Sequence, residues 1–296
     1  MKGIEIIDVS LRDGGYRTNF HFSDEALETI ISSLDEARIN YIEIGYRNGS
    51  IKPIQSIGPS GLCDKKYLKK CRALAKRSKL SVMLHPKNVK DDDLNELVDC
   101  GVELCRICVV KNGYDRASYF IEKAINIGLQ VSANITRVSQ YSENDLDFLV
   151  SKLQSHKLNM LYFADSNGSL TPQKVEYIYK KYSRNSSFSL GFHAHDNLGL
   201  AQTNAITALS SGARYIDVSL SGIGKGVGNL KTEFFLSYLS AIGVKKYNVG
   251  NVLNGSNLVS FLQRNHIVTV NDFLMGIKDL SIDDLEEINL EENEYI

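Results

Sequence analysis

The sequence predicts an α/β chain closed into a (β/α)8 TIM barrel, with a short helical appendage at its C-terminal end. Three observations carry this. Eight short β-rich runs alternate with segments of helical periodicity over most of the chain. No G-x-G-x-x-G follows the first run, so an open dinucleotide-binding sheet made of the same units lacks its fingerprint. Polar side chains gather at the C-terminal ends of the runs, the rim where a barrel carries its chemistry.

The strand runs are 4–9 (I-E-I-I-D-V), 41–45 (Y-I-E-I-G), 80–84 (L-S-V-M-L), 103–110 (E-L-C-R-I-C-V-V), 129–135 (L-Q-V-S-A-N-I), 159–164 (N-M-L-Y-F-A), 188–192 (F-S-L-G-F) and 214–218 (R-Y-I-D-V). The first helix follows Ser23, a hydroxyl suited to capping free N–H groups. Others are expected near Asp64, Asp91, Tyr114, Ser142, Thr171, Asn197 and Lys231. T-P-Q-K at 171–174 reads as an N-cap followed by Pro at the first helical position. The barrel domain is placed at 1–244 and the small helical segment at 245–296. In the latter, V-G-N-V-L-N-G-S-N reads as a loop, and D-D-L-E-E-I-N-L-E-E-N-E as part of an acidic tail whose end either packs or frays.

At 296 residues the chain is ordinary for a fold that typically needs about 250. Its 34 Lys and Arg nearly cancel 35 Asp and Glu, which argues against a nucleic-acid-binding protein. K-K-Y-L-K-K at 65–70 has helical spacing and reads as a solvated face, with a phosphate or coenzyme contact as the alternative. No signal peptide is visible and no apolar run approaches the ~20 residues of a membrane span. Five cysteines, with C-R-I-C inside an apolar strand, read as buried free thiols in a reducing cytoplasm.

The chemistry-bearing residues lie at strand ends. In G-F-H-A-H-D-N-L-G-L-A, His193 and His195 are two apart, so a strand points both imidazoles the same way. A lone strand histidine reads as a core residue. Two at this spacing, followed by Asp and Asn, point to a divalent cation, with Asp13 of D-V-S-L-R-D-G as a carboxylate ligand. Arg12 is expected to grip a substrate carboxylate or steady an enolate oxygen, a structural ion pair being the plainer reading. Glu43 is expected to orient Arg12, with an independent catalytic role second. G-I-G-K-G-V-G-N, Gly222 to Asn229, lets backbone approach a ligand, and the Asn229 amide oxygen is a further candidate ligand. Lys225 in that run reads either as an anion contact or as a solvated side chain. Asp165 of A-D-S-N-G-S-L-T-P is expected to touch substrate or support a histidine, or to be an ordinary turn acid. Asn134 and Ser219, also at strand ends, are counted as substrate-binding.

Together these motifs, over roughly residues 4–240, resemble the DRE-TIM metallolyases, a metal-dependent barrel superfamily. It includes 3-hydroxy-3-methylglutaryl-CoA lyase, 4-hydroxy-2-oxovalerate aldolase, the isopropylmalate and homocitrate synthases and the carboxyltransferase domain of pyruvate carboxylase. The resemblance implies Asp13, His193 and His195 as metal ligands, with Asn229 added in some branches. It implies Mn or Mg, with Zn or Co as alternatives, and C–C bond chemistry through an enolate stabilised by Arg12. The aldolases carry their proposed base, a histidine, near the position of Tyr16, so the expected base is Tyr16, His21 or a bound water. The lyase branch has a Cys in the loop that here runs from Gly222 to Asn229 without one, which argues against close equivalence to that lyase.

The function expected is an aldolase or lyase acting on a small 2-oxo acid. Alternatives are an acetyl-CoA-dependent Claisen condensation and a non-catalytic barrel serving as a binding subunit. A homo-oligomer is expected, and a partner enzyme docked through the C-terminal segment is a further option; neither nucleic acid nor membrane is expected as a partner.

Overall fold

A computed structural model describes residues 3–184, 186–281 and 284. Eight parallel strands close in sequence order: β1 (Glu5–Asp8), β2 (Tyr41–Arg47), β3 (Lys79–Leu84), β4 (Leu104–Val109), β5 (Gln130–Ile135), β6 (Met160–Asp165), β7 (Ser189–Ala194) and β8 (Ala213–Val218). The register Glu5 to Tyr215 through Asp8 to Val218 joins the first strand to the last. Each β-rich run of the sequence is one of these strands, and β7 runs far enough to include His193.

The helices begin where their capping residues predict. Ser23, Asp64, Ser142 and Thr171 each accept a backbone N–H three residues on, opening the helices Asp24–Glu36, Lys65–Leu74, Glu143–Leu153 and Pro172–Tyr182. The helix expected near Asn197 instead starts at Ala201. A turn comes first: Gly199 has a φ of 68°, and Asp196 accepts the Ala201 N–H. The Gly/Asn-rich run read as a loop holds the helix Leu253–Leu262. Packing overrides propensity there, because Gly255 presses against Leu220 and Ser33 where a Cβ would crowd both. A second helix, Val270–Lys278, follows. The acidic tail lies outside the described residues apart from Asp284.

Strand parity sorts the core. Outward positions such as Ile42, Ile44, Ile107, Phe163 and Ile216 pack under the helices. Inward positions form a separate plug at the bottom of the barrel: Ile7, Tyr41, Leu104, Met160, Tyr162 and Tyr215. Gly191 is required here, since a Cβ would lie 2.3 Å from the Tyr162 ring. Two residues further up, the inward positions change character. Glu43, Arg106 and Asp217 follow Tyr41, Leu104 and Tyr215, all buried. The barrel is thus apolar at its base and charged towards its C-terminal mouth. All five cysteines are free and buried, and among the described residues no helix is long and apolar enough to cross a membrane.

At the end of β1, buried Asp8 accepts from the Ser10 N–H and the Thr232 hydroxyl, tying the first turn to the helix after β8. Burial, opposed by these hydrogen bonds, raises its pKa from 3.8 to about 7. Between those values the unfolded chain releases the proton before the folded chain does. This group's contribution to stability is therefore full below pH 3.8 and falls as pH rises towards about 7. Asp8→Asn, which stays neutral, is expected to gain stability relative to wild type as urea unfolding is moved from acid to neutral pH. A difference that does not change with pH would contradict this reading.

Candidate metal centre

The charged layer is a closed chain of contacts. Arg12 donates from Nε to Glu43 Oε1 at 2.6 Å and from Nη1 to Asp13 Oδ1 at 2.6 Å. The other Glu43 oxygen accepts from Arg106 Nη1 at 3.0 Å, and Arg106 Nη2 reaches Asp217 Oδ2 at 2.7 Å. Asp217 Oδ2 lies 3.0 Å from His193 Nδ1. The two histidines approach Nε2 to Nε2 at 3.2 Å, and His195 Nε2 is 3.8 Å from Asp13 Oδ2, which closes the ring. Every member is buried. The Arg106 guanidinium also lies over the Tyr162 ring, 4.3 Å from its centroid, which gives the cation a floor.

The electrostatics follow from this wiring. Burial alone lowers the pKa of Arg12, but the Asp13 and Glu43 carboxylates outweigh it and raise the pKa well above its ordinary value, so the guanidinium is a fixed cation. Burial likewise disfavours the Asp13 carboxylate, yet the Arg12 guanidinium beside it and the Asn229 hydrogen bond hold its pKa below the ordinary range. Burial drives His195 down to about 3, against the pull of Asp13, so its imidazole is neutral. Asp217 stays ionised because Arg106 and His193 outweigh its burial. A carboxylate on His193 Nδ1 fixes that nitrogen as the N–H and leaves Nε2 with its lone pair.

The ligand atoms of Asp13, His193 and His195 all lie within 4.8 Å of one another, and among the described residues they are the group of three or more able to hold a metal ion. Two neutral imidazoles and one carboxylate are a donor set for a divalent cation. Two lone-pair nitrogens facing each other at hydrogen-bond distance also need a proton or a cation between them. Asn229 donates from Nδ2 to Asp13 Oδ2 at 2.7 Å, and its Oδ1 is buried without a hydrogen-bond partner. Rotating the amide would turn that oxygen towards the same cluster. Gly224 makes room for the arrangement, since a Cβ there would lie 2.3 Å from Asn229 Nδ2 and 2.7 Å from Asp13 Oδ2. The residues present therefore fit a divalent ion.

Above the ring is a cavity of about 110 Å³, room for several water molecules. Arg12, Asp13, Tyr16, Asn134, His193 and His195, all expected at the site, line it. Glu43 and Asn229 lie just behind, each touching a lining residue. Three expected residues fall elsewhere. His21 is exposed, with its ring nitrogen on the Ser56 carbonyl. Ser219 is buried outside the lining, its backbone tied to Leu230 and Thr232. Asp165 turns both oxygens onto its own loop, accepting the Ser169 and Leu170 N–H groups. This is the turn-acid geometry, and the carboxylate that supports a histidine is Asp217 instead.

Arg106 and Asp217 escaped the sequence reading, as did the lining residues Tyr46, Met83, Cys108, Thr136, Arg137 and Ser166. A signal for the first two was present. Arg106 shares parity with Leu104, and Asp217 with Tyr215, so each had to point into the barrel and find an opposite charge there.

A closed eight-stranded barrel with an aspartate after β1, a paired histidine at β7 and an arginine beside the aspartate defines a C–C bond lyase of the DRE-TIM class. More narrowly, residues 3–259 match the HMGL-like family model, and the chain belongs to that family. It is 31% identical over 242 residues to a 4-hydroxy-2-oxovalerate aldolase of Carboxydothermus hydrogenoformans, covering 82% of this chain and 72% of the relative. It is 28% identical over 238 residues to an oxaloacetate decarboxylase of Mycobacterium tuberculosis, covering 80% and 70%. Among solved structures, the N-terminal domain of a candidate aldolase from Bacteroides vulgatus superposes with a TM-score of 0.82 at 28% identity, over 96% of this chain and 99% of that one.

Proposed function

We propose that this protein is a divalent-metal-dependent aldolase or lyase that makes or breaks a C–C bond of a small 2-oxo acid. The observation that carries the reading is the convergence of Asp13, His193 and His195 beside Arg12 at the floor of the rim cavity. The names of the relatives, an aldolase of a 2-oxo acid and a decarboxylase of another, support the substrate class.

Asp13, His193 and His195 would hold the ion, with the Asn229 oxygen as a further donor. When bound, it would supply Lewis-acid polarisation of the substrate's oxo group. The rest is the work of the chain. Arg12 spends its Nε and Nη1 on Glu43, Asp13 and Tyr46, so the two Nη2 hydrogens are left by these bonds for a substrate carboxylate or enolate oxygen. Glu43 holds that fork in place and is itself held by Arg106, so the donor is preorganised rather than recruited. Asn134 accepts from Ser132 and so presents its NH2 as a donor on the cavity wall.

The proton step belongs to Tyr16. Its hydroxyl pairs with the Ser50 hydroxyl, and burial, opposed by that pairing, lifts its pKa above the ordinary 10, so it enters the reaction as a neutral phenol. As a phenol Tyr16 gives its proton to the substrate, and the phenolate so formed, held by the Ser50 hydroxyl, takes one back in the opposite direction, whereas His21 lies outside the cavity.

Exchange of pyruvate methyl protons for deuterium, followed by NMR with Mn2+ or Mg2+ and a panel of 4-hydroxy-2-oxo acids as cleavage substrates, tests the reading. Metal-dependent exchange and cleavage, both abolished by a chelator, are expected. Absence of both exchange and cleavage would overturn it, and thiol release from acetyl-CoA would assign the condensation reaction in its place.

A further inference from the structure

The C-terminal segment lies against the catalytic mouth and is tied to loop after loop around it. Arg17, in the loop after β1, contacts the His266 ring and the Gly226 carbonyl of the glycine-rich loop after β8. Asn197, after β7, donates to the Asp272 carbonyl at 2.7 Å. Gly276 lets the helix Val270–Lys278 press on Asn197 and Leu198, where a Cβ would come within 3.0 Å of both. The densest anchor is Asp279, the residue that ends this helix. Its Oδ1 accepts from Ser139 Oγ and Ser169 Oγ at 2.7 Å each and from Asn167 Nδ2 at 2.8 Å. Its backbone carbonyl takes Gln140 Nε2 at 2.8 Å.

These anchors are next to the cavity in the chain. Ser139 and Gln140 follow the lining residues Thr136 and Arg137, Asn167 follows Ser166, and Arg17 follows Tyr16. The β6 loop is gripped from both sides, by Asp165 within and by Asp279 from outside. Arg137 sits at a φ of 52° and Asp279 at 53°, left-handed conformations that cost energy and persist where surroundings fix them.

We propose that Asp279 is a positioning residue for the cavity: it locks the β5 and β6 loops in register and so sets Thr136, Arg137 and Ser166 against the substrate. The C-terminal helix is in this account part of the active-site scaffold and not an ornament of the barrel. The kinetic consequence rests on the 2-oxo acid reading above; the structural consequence does not.

Two substitutions separate the carboxylate from its backbone. Asp279→Gly keeps the left-handed turn and removes the acceptor, while Asp279→Asn keeps the turn and one acceptor oxygen. Amide hydrogen exchange is read in the full-length chain over 136–140 and 166–170. The Gly variant is expected to exchange there about tenfold faster or more, with strands β1 to β4 unchanged, and the Asn variant to stay near wild type. KM for the 2-oxo acid should rise about tenfold in the Gly variant with a smaller fall in kcat, and Mn2+ affinity should hold, since the metal ligands are untouched. Unchanged loop exchange in Asp279→Gly overturns the proposal, whatever the enzyme turns over. Looser loops or a lower Tm with KM unmoved also overturn it, by reducing Asp279 to a stabilising contact. Failure of the functional reading shows separately, as absence of turnover in the wild type.

Discussion

Arg12→Lys is expected to lower kcat for 2-oxo acid cleavage by about 10²–10³ while leaving the protein folded. Lysine keeps the charge but offers a compact ammonium in place of a planar fork. It cannot reach Glu43 and Asp13 at once, as Arg12 does at 2.6 Å on each side, and still direct two hydrogens at a substrate oxygen. The loss should fall on turnover more than on KM, because the contact strengthens as negative charge develops on the enolate oxygen. Mn2+ affinity should change little, since Arg12 is not itself a donor to the ion. Steady-state kinetics beside a metal titration check both halves. Near wild-type turnover in Arg12→Lys would show that a point charge suffices and that the fork is structural.

The largest effect on stability is expected from Arg106→Met. Arg106 is fully buried and pairs with two buried carboxylates, Glu43 at 3.0 Å and Asp217 at 2.7 Å. Removing one partner of a buried ionic network strands the others, which costs about 3–5 kcal/mol. Urea unfolding should show that loss. Adding Glu43→Gln and Asp217→Asn to the same chain should restore much of it, because neutral amides do not need the cation. A loss that persists undiminished in the triple variant would mean that packing against Tyr162, not charge, is what Arg106 supplies.

Much of this was legible in the chain because barrel units alternate two periods, and both are visible locally. A helix such as Asp24–Glu36 announces itself by Ser23 and its apolar spacing. The pairing of His193 with His195 is equally local, a matter of strand parity. What could not be read was which distant groups meet. Arg106 and Asp217 are 111 residues apart and become partners only when β4 and β8 face each other across the barrel. Asp165 and Asp217 look alike in the sequence, each a lone acid at or near a strand end. One faces its own turn and the other the histidine, and only the closed barrel distinguishes them. The helix Leu253–Leu262 was hidden for a different reason. Gly255, a poor helix former alone, lies close against Ser33 and Leu220.

Every role assigned to the site requires Asp13, His193 and His195 to share one cation. The direct measurement is a Mn2+ titration of chelator-treated protein, followed by electron paramagnetic resonance, on wild type and on the His193→Ala/His195→Ala double variant. A single tight ion per wild-type chain, weakened at least about 100-fold in the double variant, is the result predicted. Equal binding by both proteins, or none by the wild type, would contradict it.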